Sequence, residues 1–140
     1  MMTVNQLSKH GDVTPHVVRY YARIGLLDPI RHPENGYKLF SRDDAERLRF
    51  IRAAQALGYT LDEIGRILRI RDGGESPCAT VRTMLARRIA ENRRKLEELR
   101  ALQQRMEWAL ARWERLPDEA DGCGRFCHLI ESVTDVRHDA

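Results

Sequence analysis

An almost wholly α-helical chain, interrupted by one β-hairpin, is the fold this sequence predicts. Three observations predict it. Of the 140 residues 32% are charged and only 6% aromatic, a composition rich in Arg, Glu, Leu and Ala that favours helix over sheet. Glycine and proline punctuate residues 11–77 at short intervals and are absent from 78 to 116. Within that uninterrupted stretch, apolar residues recur every seven positions.

Taken in order, the first 72 residues break into short helices. Val4, Leu7 and Ser8 begin the first, and Gly11-Asp12 ends it. Thr14 is expected as an N-cap, with Pro15 at the first helical position of "PHVVRYYARIG", which Gly25 closes. Two short helices joined by a tight glycine-containing turn form the helix-turn-helix pattern. In "LLDPIRHPENGYKLF", Pro29, Pro33 and Asn35-Gly36 argue against helix, and Asn-Gly before "YKLF" predicts a hairpin turn. A basic hairpin beside a helix-turn-helix is a wing. Asp43 and Asp44 open a third helix that runs to Leu57 and stops at Gly58. Thr60 and Glu63 form a capping box for a fourth, ending near Arg71, and "DGGES" at 72–76 is a linker.

From Ser76 to Leu116 there is no glycine, and the only proline is Pro77 at the first helical position. A helix of that length is a rod of about 60 Å. Leu85, Asn92, Leu99, Met106 and Trp113 form one line of its seam, and Ile89, Leu96, Gln103 and Leu110 the other. One apolar stripe on so long a helix needs a partner, so the chain should form a homodimer. An antiparallel register that sets Asn92 against the partner's Gln103 also matches Leu85 with Leu110, Ile89 with Met106 and Leu96 with Leu99. Sliding by one heptad leaves the Asn92 amide against a leucine, at a cost of about 1–3 kcal/mol. In that register Cys78 lies beside position 117 of the other chain, where the cysteine-bearing tail begins.

The net charge of +3 doubles in a dimer and suits an anionic partner. No stretch is long and apolar enough to span a bilayer, and "MMTVNQLSKHGDVTP" lacks the plan of a secretory signal. The expectation is a cytoplasmic protein without a membrane partner, its thiols reduced. Three cysteines, an odd number, then fit metal binding or redox chemistry better than a structural disulfide.

The segments "VVRYYARIGLL", "ENGYKLF" and "RLRFIRAAQALGYTLDEIGRIL", followed by a long helix with a cysteine at its start, resemble MerR-type transcriptional regulators in order and spacing. The resemblance covers residues 2–116, and "CHLIES" is similar to the family's short final helix, led by a metal-binding cysteine. It implies an all-α fold with a small β-hairpin wing: a winged helix-turn-helix domain plus a long antiparallel coiled-coil dimerisation helix. The expected division is a DNA-binding domain over 1–72, a linker and dimerisation helix over 73–116, and a metal-binding loop, short helix and tail over 117–140. Such regulators sit on double-stranded promoter DNA whose spacer is too long for RNA polymerase. Effector binding makes the dimer bend and untwist that DNA, and deforming it commonly costs a few kcal/mol.

By position in the resemblance, Arg19 and Tyr20 match recognition-helix contacts, with Thr14 and His16 near the helix start. Tyr37 and Lys38 match the wing contacts. Arg can reach guanine or phosphate, whereas Lys and Tyr mainly position the backbone. Tyr21 is expected in the core, and Arg47, Arg49 and Arg52 on a solvated face that touches phosphate at one or two points.

Cys78 opens the long helix, whose positive end suits an anionic sulfur ligand. Cys123 and Cys127 are four apart, so on a helix they would share one face. With Cys78 from the partner chain they would make a three-sulfur site. Three thiolates suit mercury or lead, and a fourth ligand would make a zinc or cadmium site. His128 is a candidate fourth ligand, although it points about 100° from Cys127 on a helix. The resemblance adds that divalent-ion regulators carry a cysteine where Cys78 stands, and monovalent-ion regulators a serine. Cys123 departs from the family pattern, which places that ligand earlier, where this chain has "WERLPDEAD". The expected effector is thus a divalent ion: zinc, cadmium, lead or mercury. The same machine answering oxidants or electrophiles through its thiols remains an alternative. An enzyme using "CGRFC" is not expected, since thiol oxidoreductases usually place Cys-x-x-Cys on a sheet scaffold. A metal buffer would leave the first 72 residues without a purpose.

Overall fold

The computed structural model describes residues 1–118 and 126–136. The chain divides into two compact units, residues 1–86 and 87–140, each described here by itself. The first holds α1 (Val4–Gly11), α2 (Pro15–Arg23), the hairpin β1 (Ile30–Arg31) and β2 (Lys38–Leu39), α3 (Arg42–Ala56), α4 (Leu61–Asp72) and the first turns of α5 (Cys78–Trp113). The rest of α5 and the short α6 (His128–Val136) belong to the second.

Every helix of the first unit up to α4 begins on a hydroxyl. Thr3, Thr14, Ser41 and Thr60 each accept an amide N–H three residues on, and Gln6, Asp44 and Glu63 complete capping boxes at three of the four. Such caps contribute about 1 kcal/mol each. The sequence marked Thr14 and Thr60 correctly. At α3 it pointed to Asp43-Asp44, whereas the cap is Ser41 and Asp44 is its reciprocal partner.

Leu7, Val18, Leu27, Phe40, Leu48, Ile51, Ile64 and Ile67 form the interior of this unit, and all are essentially inaccessible. Tyr21 joins them, as its position predicted. Met2 pairs with Phe40 in both directions, its N–H donating at 2.8 Å and its carbonyl accepting at 2.7 Å, so the chain start closes over the hairpin. At the α1–α2 turn, Asp12 adopts a left-handed backbone (φ 53°). A Cβ on Gly11 would come within 2.3 Å of Leu48 Cδ2, so any larger residue there must displace the Leu48 side chain.

Three polar ties hold the elements in register. The buried Asp44 carboxylate accepts the Asp28 N–H at 3.0 Å and the Ser41 N–H at 3.1 Å, fixing the loop before the hairpin to the start of α3. Arg52 donates to the Gly11 carbonyl at 2.7 Å and to that of Asp12, closing the end of α1. Arg47 donates through Nε to the Leu26 carbonyl (3.1 Å) and through a terminal nitrogen to Asp72 (2.8 Å). The expected solvated face of Arg47, Arg49 and Arg52 therefore divides: Arg49 is exposed, whereas Arg47 and Arg52 are committed to the fold. Arg47, with only 13% of its side chain exposed, holds the Asp72 carboxyl below the usual carboxylate range, chiefly through that hydrogen bond.

The second unit is different in kind. Ile89, Leu96, Leu99, Met106 and Leu110 are 45–64% exposed along α5. Ala109 is the one buried apolar residue there among those described. The α6 helix starts directly after Cys127, whose carbonyl accepts the Glu131 N–H at 3.0 Å, while the Glu131 carboxylate accepts the Phe126 N–H at 3.0 Å.

Candidate nucleic-acid interface and thiol site

Helix α2 presents its polar face because Val18 and Tyr21 anchor the other in the core. Arg19 projects from this face into an open groove, and the hairpin supplies the opposite wall. Arg19, Tyr37 and Lys38 line that groove together with Thr3, Asn5 and Arg31. Three predicted contacts, one from α2 and two from the hairpin, are thereby brought together.

The hairpin tip is set by its own hydrogen bonds. Gly36 takes φ +70°, its N–H donates to the His32 carbonyl at 2.9 Å, and Asn35 Oδ1 accepts the Tyr37 N–H at 3.0 Å. Tyr37 is consequently held out, 67% exposed. Arg31 stands directly across the ribbon from Lys38, and its guanidinium donates to the Gly36 carbonyl at 3.2 Å. Like charges placed opposite one another weaken a strand pair. A phosphate between them would reverse that effect. Arg31 escaped the sequence reading because its facing partner is fixed only by the register of the hairpin.

The other predicted contacts have distinct roles. Tyr20 is partly exposed, with the Arg23 guanidinium 5.2 Å from its ring centroid. It borders a second depression that also contains Arg66 and Arg69 of α4. His16 is exposed on the first turn of α2. Thr14 is exposed too, but its hydroxyl accepts the Val17 N–H at 3.2 Å as the helix cap. That lone-pair commitment makes Thr14 a positioning group before it is a contact.

Two thiols are described. Cys78 is exposed as the first residue of α5, its N–H 3.4 Å from the Ser76 hydroxyl. Cys127 is half-buried immediately before α6, and His128 is half-buried as the first residue of that helix. Cys123 lies outside the described residues. Among the described residues, no three His, Cys, Asp or Glu side chains of one chain converge to hold a metal ion. The donors fit a soft or borderline ion in kind, since thiol sulfur is the ligand such ions prefer.

A family model described as MerR HTH family regulatory protein matches residues 2–70, and one described as MerR, DNA binding matches residues 45–109. The chain belongs to the MerR family. Its membership makes it a helix-turn-helix DNA-binding regulator rather than an enzyme. Among MerR relatives, the mercuric resistance operon regulatory protein of Bacillus cereus is 32% identical over 130 residues, covering 93% of this chain and 95% of that protein. The crystal structure of the transcription regulator PbrR691 from Ralstonia metallidurans CH34, in complex with lead(II), is 32% identical and superposes with a TM-score of 0.75. It covers 95% of this chain and 99% of its own. The regulator MerR from Bacillus megaterium MB1, in complex with a mercury(II) ion, is 30% identical with a TM-score of 0.61, covering 96% and 99%. The chain is thus close to metal-responsive members of its family. Among the described residues, no helix is long and apolar enough to cross a membrane.

Proposed function

We propose that this protein is a homodimeric, metal-responsive regulator that remodels promoter DNA for RNA polymerase when it binds a divalent soft or borderline ion. Zinc, cadmium, lead and mercury are the candidates. Cys78 of one chain, with Cys123 and Cys127 of its partner, would hold the ion; His128 is the candidate fourth ligand. The observation that carries this reading is the exposed thiol at the first residue of α5, in the compact unit that also contains the DNA-reading helix. The relatives solved with lead(II) and mercury(II) support the ligand class.

Dimerisation follows from the apolar seam that α5 leaves uncovered. On DNA, Arg19, Tyr37, Lys38 and Arg31 would grip the backbone and groove edge from two sides, with Tyr20 and His16 beside them and Thr14 fixing the helix start.

The test is metal content and affinity of the reduced protein for zinc, cadmium, lead, mercury and copper(I), against Cys78→Ser. Tight divalent binding that collapses in the variant is expected. Mixed dimers of a Cys78→Ser chain with a Cys123→Ser/Cys127→Ser chain should keep one complete site, and retention of none would exclude a site shared between chains. Absence of metal binding, with transcription changing on reversible thiol oxidation, would transfer the signal to redox chemistry.

A further inference from the structure

Besides apolar packing through Met84, Val81 and Leu85, the first turns of α5 are fastened to the DNA-binding elements by a polar tie. Tyr59 stands at the corner between α3 and α4, just after Gly58 at φ +95°. It is buried, its N–H donates to the Ala54 carbonyl at 3.1 Å, and its hydroxyl donates to the main-chain carbonyl of Val81 at 2.8 Å. Val81 lies one turn beyond Cys78, and its own N–H donates to the carbonyl of Pro77, the residue before Cys78, at 2.9 Å. Met84, a turn further, is buried in the core, with Val81 and Leu85 packed at its edge.

The same corner is gripped from the other side. Gln55, in the last turn of α3, accepts the Tyr21 hydroxyl at 3.1 Å. Tyr21 is the core residue of α2 next to Tyr20 and two removed from Arg19. Two phenol hydroxyls therefore bracket residues 55–59, one reaching the DNA-reading helix and the other the helix that begins with Cys78. A carbonyl inside an α-helix already accepts an amide from four residues on, and its second lone pair is free. The Tyr59 bond is thus additional, and removing it leaves no buried acceptor unsatisfied.

We propose that Tyr59 is a positioning residue that couples the start of α5, including Cys78, to the DNA-reading helix α2. Its importance for sensing rests on Cys78 being an effector ligand, as proposed above. The coupling itself can be measured without any metal. Coupling between sites acts in both directions, so DNA held by α2 must alter the surroundings of Cys78.

The experiment uses the full chain carrying Cys123→Ser/Cys127→Ser, which leaves Cys78 as its only thiol. The rate at which Cys78 reacts with a chromogenic aromatic disulfide is read with and without a duplex selected for binding from a random pool. Binding of the duplex should change that rate about fivefold or more, the lower end of ordinary coupling between sites. In Tyr59→Phe the chain should stay folded, its melting temperature lowered by about 8 °C or less as for one lost hydrogen bond, and the effect of the duplex on the rate should fall below about twofold, too small for coupling of that size. An equal effect in Tyr59→Phe, or none in the parent, would overturn the proposal. Should Tyr59→Phe fail to fold, Tyr21→Phe cuts the same route at its other end and is judged by the same two outcomes. A protein that binds no metal yet shows Tyr59-dependent coupling would refute the metal reading and leave this one intact.

Discussion

Residues 1–86 and 87–140 are built from the same few residue types, yet they solve opposite problems. The first unit encloses Leu7, Val18, Phe40, Leu48, Ile51 and Ile64 completely, using partners from its own chain. The second sets leucines, an isoleucine and a methionine along one helix and leaves them open. An apolar side chain gains about 1.5–3 kcal/mol on full burial, so the first unit holds its stabilisation within the chain and the second must draw it from another copy. The difference teaches that stability of the DNA-reading part and assembly of the dimer are separable quantities.

The sharpest way to break that comparison is at the seam. Leu96→Glu should convert the dimer to monomers, because two Leu96–Leu99 layers are lost at about 4 kcal/mol or more in total. Sedimentation would report the dissociation, and a retained near-ultraviolet transition would report an intact first unit. Loss of both together would show that the units are not independent. Gly11→Ala attacks the other side. Its new methyl must displace Leu48, so thermal unfolding should register about 1–3 kcal/mol of destabilisation in the first unit, with dimerisation unaltered.

A smaller effect is expected at the wing. Arg31→Ala should weaken binding to all duplexes alike and reduce the slope of log affinity against log salt by about 1, the value for one lost phosphate contact. A change confined to one base sequence would instead make Arg31 a base reader. The smallest effect is at Asp72. Its carboxyl is held below the ordinary 3.8, first by the Arg47 hydrogen bond. A lowered folded value stabilises the charged form, so the contribution is present at neutral pH and is lost as pH falls through the carboxylate range. Asp72→Asn should cost under about 1 kcal/mol at pH 7, since the Asp72 side of the pair is 46% exposed. The difference between variant and parent should shrink as pH falls below 3.8 and vanish only once Asp72 is protonated in the folded chain as well.

Much of this organisation is legible in the chain itself because its signals are local. Thr14-Pro15, Asn35-Gly36 and Thr60 with Glu63 act over four residues or fewer, and each is found where its chemistry puts it. Signals that act across the fold were not legible. Arg47 reads as a solvated residue until Leu26 and Asp72, 21 and 25 positions away, are brought to its guanidinium. Arg31 gains meaning only from its cross-strand neighbour Lys38. At the proposed thiol site, α6 begins where "CHLIES" suggested. The proposed meeting of Cys78 with the partner's tail would depend on a second chain, beyond what contacts within one chain can encode.

Consider last the buried carboxylate of Asp44, which ties the loop leading to the hairpin onto the start of α3. With that tie in place, the loop leading to the hairpin cannot leave the start of α3 without giving up its hydrogen bond to the buried carboxylate. Each half of a dimer would meet the double helix as an inflexible jaw of a calliper. A measuring tool of that kind cannot absorb a mismatch in spacing by yielding itself. The misfit would pass to the DNA, the more compliant of the two materials, where it can do mechanical work on a promoter.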